Sequence, residues 1–169
     1  MKKEALGVDI GNVIIDHRLI SKEEAKLLEE RYSTIPATEG VFDCLKKLND
    51  KIFHGNIFLV SKCTPWAKEK ALAWLKDNDF YNKTGVKPEN VFFCQERSEK
   101  EKICRENNIT HFVDDRLEVL SYMIGKVPNL FLFKPDEKEV DEFKQFLSKV
   151  MRVESWAEIL NKIKNKQNL

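Results

Sequence analysis

The chain has 169 residues, 42% of them hydrophobic and 11 of them Phe, enough for one domain with a packed core. Its 29 Lys and Arg against 28 Asp and Glu leave a net charge of +1, which gives no support to general nucleic-acid binding or to attraction by a membrane surface. No apolar run approaches the roughly 18 residues of a membrane span.

The N-terminal apolar run is too short for a signal peptide. Cys44, Cys63, Cys94 and Cys104 form no C-x-x-C pair. Reduced, mostly buried thiols in a soluble cytoplasmic protein are therefore expected, not zinc or a disulfide framework.

Ala5–Ile10 reads as a continuous apolar strand with Asp9 near its end, typical of a strand covered on both faces. Val13–Ile15 is a second, short β-prone piece. Residues 16–39 are the least regular part and read as a flap or minimal cap. Within it, Ser21 and Glu24 have the spacing of a capping box that opens a helix through Arg31. Gly40–Asn49 is an amphipathic helix, with Val41, Phe42, Leu45 and Leu48 on one stripe. Ile57–Val60 is the second core strand and ends at Ser61. Thr64 and Pro65 then cap a helix that carries Trp66, Ala71, Trp74 and Leu75 inward.

Tyr81–Asn90 reads as a loop and Val91–Cys94 as the third strand. Ser98 and Glu101 predict a capped helix running to about Asn107. His111–Val113 is the fourth strand and stops at Asp114–Asp115. Leu117–Ile124 is helical, with Gly125 as its C-cap. Leu130–Phe133 is the fifth strand and Glu137–Met151 a helix. Ser155–Ile163 is a last helix, capped by Ser155 with Glu158, and residues 164–169 are a frayed tail. Trp66, Trp74 and Trp156 fall at core spacings. His54 reads as a loop residue and His111 as a satisfied strand residue.

Strands alternating with helices mean β-α-β units: one α/β domain over residues 1–169, with a central five-stranded parallel sheet between helical layers. Ligands of such sheets bind beyond the carboxyl ends of the strands. Asp9, Ser61 and Asp114 interrupt apolar runs there, and Lys100 opens the helix after the third strand. Two acids, a hydroxyl and an amine at one edge suit an oxygen-rich anion with a hard cation. Mg²⁺ prefers carboxylates plus phosphate oxygens, and Lys supplies a point charge to phosphate.

The motifs VDIGNV at the first strand, LVSKC at the second, EKEK before the fourth and FVDD at its end resemble those of the haloacid dehalogenase-like superfamily of phosphohydrolases. The resemblance spans nearly the whole chain. It implies a modified Rossmann fold and a Mg²⁺-dependent phosphatase with an aspartyl-phosphate intermediate. It implies Asp9 as nucleophile, Asp114 and the Gly11 carbonyl as metal ligands beside Asp9, and Asp115 at the metal through a water. It implies Ser61 and a lysine as holders of the phosphoryl group, with Lys62 and Asn12 lining the site. Lys100 and Lys102 lie about 200° apart around a helix. Ile103 and Cys104 mark its buried stripe, which favours Lys100.

The usual second Asp, two positions after the nucleophile, is replaced by Gly11. It would protonate the leaving oxygen. Asp16 and His17 are the candidates to replace it. The gaps from Asp9 to Ser61 and from Ser61 to Lys100 hold no sizeable lid, so a capless or minimally capped enzyme is expected. Such an enzyme would act on a phosphorylated small molecule or macromolecule, and a homo-oligomer could close the open crevice. Two alternatives are a phosphate-binding or scaffold protein without turnover, which Gly11 favours, and a dehalogenase, which would not need Mg²⁺.

Overall fold

The strand Leu6–Val8 (β1) lies at the middle of the protein, with all three residues buried. The computed structural model describes residues 3–21 and 32–167. β1 pairs in parallel with Ile57–Lys62 (β2) on one side and His111–Asp114 (β4) on the other. Outside β2 lies Val91–Cys94 (β3). Outside β4 lie Asn129–Phe133 (β5) and then Met151–Val153 (β6). The order is β3-β2-β1-β4-β5-β6, all parallel. Gly7 is required at the centre of β1, because a Cβ there would sit 2.4 Å from the Phe112 ring.

Helices cover both faces. Val41–Leu48 (α1), Pro65–Asp77 (α2), Phe80–Thr84 (α3) and Trp156–Gln167 (α7) bury Leu45, Trp74, Phe80 and Trp156 against Leu6, Val8 and Leu59. Glu99–Glu106 (α4), Leu117–Ser121 (α5) and Glu137–Glu142 (α6) bury Cys104, Leu120 and Val140 against Phe112, Leu130 and Leu132. Alternate strand residues thus feed opposite layers, as a two-sided parallel sheet demands. The buried indoles also fix loops. Trp156 Nε1 donates to the Val13 carbonyl at 2.9 Å, and Trp74 Nε1 to the Ile35 carbonyl at 2.8 Å. Both bonds hold the chain that leaves the end of β1. Among the described residues, no helix is long and apolar enough to cross a membrane.

Several expectations are corrected. The sheet has six strands, not five. The stretch read as one helix, Glu137–Met151, is α6, then a 3-10 segment over Lys144–Lys149, then β6. A three-residue strand is too short to show a period of two. Val13–Ile15 forms no strand. Ile15 makes only isolated bridges, to Gly11 and Ala37, in a turn. Tyr81–Asn90 contains the end of α3 and a 3-10 turn at Pro88–Asn90. The last helix runs to Gln167, past the expected start of fraying.

Ser98 does not cap α4. Its backbone is already helical, whereas an N-cap needs extended backbone. The Glu99 carboxylate takes the N–H groups of Gln95 and Glu96 instead. Trp66 is not core; it is 48% exposed. Five residues before Ala71, it lies about 140° around the helix from it. Most of the helix expected after Ser21, which was to end at Arg31, lies outside the described residues. Thr64 does cap α2, its hydroxyl accepting from Ala67 N–H at 3.3 Å. Ser155 caps the last helix, its Oγ accepting the Glu158 N–H at 3.1 Å, but Glu158 reaches back to the Glu154 N–H at 3.0 Å, one residue before the expected box partner. All four cysteines are free.

Candidate active site

The end of β1 is tied to β4 by Asp9 N–H, which donates to the Val113 carbonyl at 3.0 Å. That register sets Asp9 beside Asp114. Lys100, in the first turn of α4, is buried, and its Nζ lies 2.9 Å from Asp9 Oδ1 and 2.8 Å from Asp114 Oδ2. The second Asp114 oxygen accepts the Arg116 N–H at 3.0 Å. Asp115 completes the group: Asp9, Asp114 and Asp115 each offer a carboxylate oxygen, all within 4.8 Å of one another.

Two carboxylates against one ammonium, with Asp115 beside them, leave excess negative charge in a largely buried place. Burial pushes the Asp114 carboxyl up, and Asp9 and Asp115 add to the push while Lys100 opposes it. Asp115 is pushed up to about 6 by burial and by Asp9, against a hydrogen bond from Asn12. Burial would neutralise Lys100, but Asp114 and Asp9 outweigh it and hold the ammonium protonated. An uncompensated buried charge is costly, so a bound cation would relieve the site. All-oxygen ligands of this kind suit a hard divalent ion such as Mg²⁺.

The turn after Asp9 lines the same crevice. Asn12 is left-handed at φ 60°, and its Nδ2 donates to Asp115 Oδ2 at 3.2 Å. Asn12 Oδ1 is buried with no hydrogen-bond partner among the described residues, an acceptor open to a donor entering the crevice. Arg18 fastens this turn. Its guanidinium donates to the carbonyls of Asn12, at 2.7 Å, and Lys134, at 3.2 Å, and to Asp16 Oδ1 at 2.8 Å. Asp16 is thereby committed to Arg18. Gly11 borders the crevice, and a Cβ built on it would meet only His17, 3.8 Å from Cδ2 and 3.9 Å from Nε2. His17 Nε2 lies 3.3 Å from the Tyr32 hydroxyl. Burial lowers the His17 pKa, and Asp16 and Asp9 work against that shift.

Asp9, Gly11, Asn12, Ser61, Lys62, Lys100, Asp114 and Asp115 border one crevice of about 260 Å³ at the carboxyl edge of the sheet. Ser61 is buried at the end of β2, and Lys62 is exposed on the rim. Lys102 points away, two-thirds exposed, with Glu106 3.9 Å off. Arg97, Arg116 and Val119 also line the crevice and were not singled out in the sequence. Arg116, directly after the acid pair, was the legible one of the three. A larger depression of about 560 Å³ lies at the opposite edge, beside Thr110 and Pro128, and holds none of these acids.

No sequence family matches the chain, and no curated protein does. The fold has a counterpart among solved structures. A Burkholderia xenovorans LB400 protein described as a haloacid dehalogenase-like hydrolase superposes with a TM-score of 0.66 at 12% identity. The match covers 95% of this chain and 98% of that one. The fold is haloacid dehalogenase-like. Each chain of the pair spans nearly all of the other. In this haloacid dehalogenase-like fold the acid cluster lies where the two middle strands, β1 and β4, end side by side.

Proposed function

We propose that the protein is a Mg²⁺-dependent phosphomonoester hydrolase working through an aspartyl-phosphate on Asp9. The observation that carries this reading is the set of three converging carboxylates, two of them, Asp9 and Asp114, bridged by buried Lys100. Asp9, Asp114, Asp115 and the Gly11 carbonyl would hold the ion. Bound there, Mg²⁺ supplies the positive charge that lets a carboxylate approach an anionic phosphate.

This chain's own residues do the rest. Lys100 occupies Asp9 Oδ1 and so orients the carboxylate for attack through its other oxygen. Ser61 donates a hydroxyl to a phosphoryl oxygen, and Lys62 and Asn12 offer further donors at the rim. As the Asp9–phosphorus bond forms, the bond to the leaving oxygen breaks. His17 gives that oxygen a proton, then recovers one from the water that releases Asp9. Gly11 leaves His17 the room to do so. Among the described residues no lid domain covers the crevice, which leaves it open to the substrate.

A phosphate-binding protein without turnover is the second reading, and Gly11 in place of an acid is what favours it. One experiment separates them. Phosphate release is measured from p-nitrophenyl phosphate and a panel of metabolite phosphates, with Mg²⁺ or with chelator, using Asp9→Asn as the blank. Release that needs Mg²⁺ and Asp9 supports the phosphatase. Tight fluoroberyllate binding with no release from any ester overturns it in favour of the second reading.

A further inference from the structure

The crevice does not end at Asp115. Asn12, Asp115 and Arg116 also border a second depression, of about 540 Å³, that runs over the ends of β5 and α6. Its floor carries Arg116, Lys134 and Lys138, and none of the three has a carboxylate within ion-pair distance among the described residues. Four acids line the same depression: Glu142, and three that accept hydrogen bonds. Glu139 accepts the N–H groups of Leu117 at 3.0 Å and Glu118 at 2.7 Å. Asp136 accepts those of Lys138 and Glu139. Asp115 takes Asn12 and belongs to the acid cluster.

Backbone geometry presents one of these cations. Lys134 holds φ 40°, a left-handed conformation rare for a side-chain-bearing residue. Arg18 keeps it there by bonding its carbonyl, while bonding the Asn12 carbonyl with the same guanidinium. One side chain therefore ties the turn of the first depression to the turn of the second. Strain of this kind persists where the surrounding structure over-determines it, and it gathers at ligand sites.

We propose that this depression is a second anion subsite, and that the substrate is a small metabolite carrying a second phosphate on the side of Arg116, Lys134 and Lys138. The proposal rests on the phosphatase reading for the first phosphate. Its volume suits a metabolite, and the net charge of +1 does not suit a nucleic-acid strand. Arg116 stands between the two sites and reads both phosphates. Lys134 and Lys138 read only the distal one.

The test compares kcat/KM for fructose 1,6-bisphosphate and fructose 6-phosphate, in wild type and in a Lys134→Asn/Lys138→Ala variant. Asn keeps the left-handed turn. The bisphosphate is expected to be preferred by about tenfold or more, one charge-assisted contact's worth. The variant should lose that preference and hydrolyse p-nitrophenyl phosphate as wild type does. Equal use of the two sugars, a preference unmoved in the variant, or stronger preference for a 5′-phosphorylated oligonucleotide overturns the subsite and leaves the phosphatase standing. Where no phosphate ester is hydrolysed at all, the phosphatase reading falls, and calorimetry decides the subsite. Tighter binding of the bisphosphate that needs Lys134 and Lys138 supports it; equal binding of the two sugars overturns it.

Discussion

The imidazole of His17 stands 3.8 Å from where a side chain at Gly11 would begin, ordinary contact distance for a Cβ. His17 is thus the titratable side chain next to the position two residues after the proposed nucleophile. The same turn spends Asp16 on Arg18, while His17 Nε2 lies 3.3 Å from the Tyr32 hydroxyl. That contrast is why the proposed acid is His17 rather than Asp16.

His17→Ala should slow hydrolysis of an alkyl phosphate by about 10²–10⁴-fold, the usual worth of a general acid or base. It should barely slow the first burst of p-nitrophenolate, whose release needs no proton, while later turnovers slow for want of the base that frees Asp9. Asp16→Ala should act otherwise, by freeing Arg18 and loosening the Asn12 turn, and so slow both esters alike. Equal slowing of the leaving-group burst from both esters for His17→Ala would remove the histidine from the role of acid.

Lys100 is enclosed with two carboxylates, and removing it leaves them uncompensated. Breaking a buried pair from one side costs about 3–5 kcal/mol. Lys100→Met, which keeps most of the stem, should therefore lower Tm by roughly 6–20 °C in a chain of this size. Lys102→Met, on the exposed side of α4, should change stability by less than about 0.5 kcal/mol. Differential scanning calorimetry of the two variants tests this. Similar melting would mean that the acids do not depend on Lys100.

What the sequence could show of this site followed from interruptions. Asp9, Ser61 and Asp114 stand out because each ends an apolar strand, and strand ends in a parallel sheet share one edge. Lys100 separated from Lys102 because Ile103 and Cys104 fix the inner stripe of α4. Arg18 was not legible, and Arg116 only as the neighbour of the acid pair, because their roles depend on turns that bring residues 12, 18, 116 and 134 together. No periodicity encodes that. Trp66 misled for a related reason: aromatic content suggests core, but its angular position on α2 turns it outward. β6 escaped because three residues between a 3-10 segment and a turn carry no pattern of their own.

Mg²⁺ should stabilise the folded protein through the acid cluster. An ion at a hundredfold excess over its dissociation constant adds about 2.7 kcal/mol. That is roughly 5–11 °C in Tm at this chain length. Asp114→Asn should remove most of the gain, because it takes away a carboxylate at the centre of the cluster. Thermal melts of both proteins, with Mg²⁺ and with chelator, measure the difference. An equal Mg²⁺ shift in the variant would place the ion elsewhere.

His111 gives the protein an acid limit of its own. It is buried between the Phe53 and Phe131 rings, with centroids 5.3 and 6.4 Å away, and its Nδ1 is 2.9 Å from Thr110 Oγ1. Burial lowers its pKa to about 4, with Lys166 adding slightly. Above the unfolded value of about 6.5 the imidazole is neutral in both states and has no effect on the balance. As pH falls from there to about 4, the unfolded chain takes up a proton that the folded one refuses, so stability is lost across that window. The loss from this one group is at most about 3 kcal/mol. Urea unfolding at a series of pH values should show it, and His111→Gln, which cannot titrate, should flatten the curve between those limits. A wild-type profile that matches the variant's in this range would show that the ring is protonated in the fold.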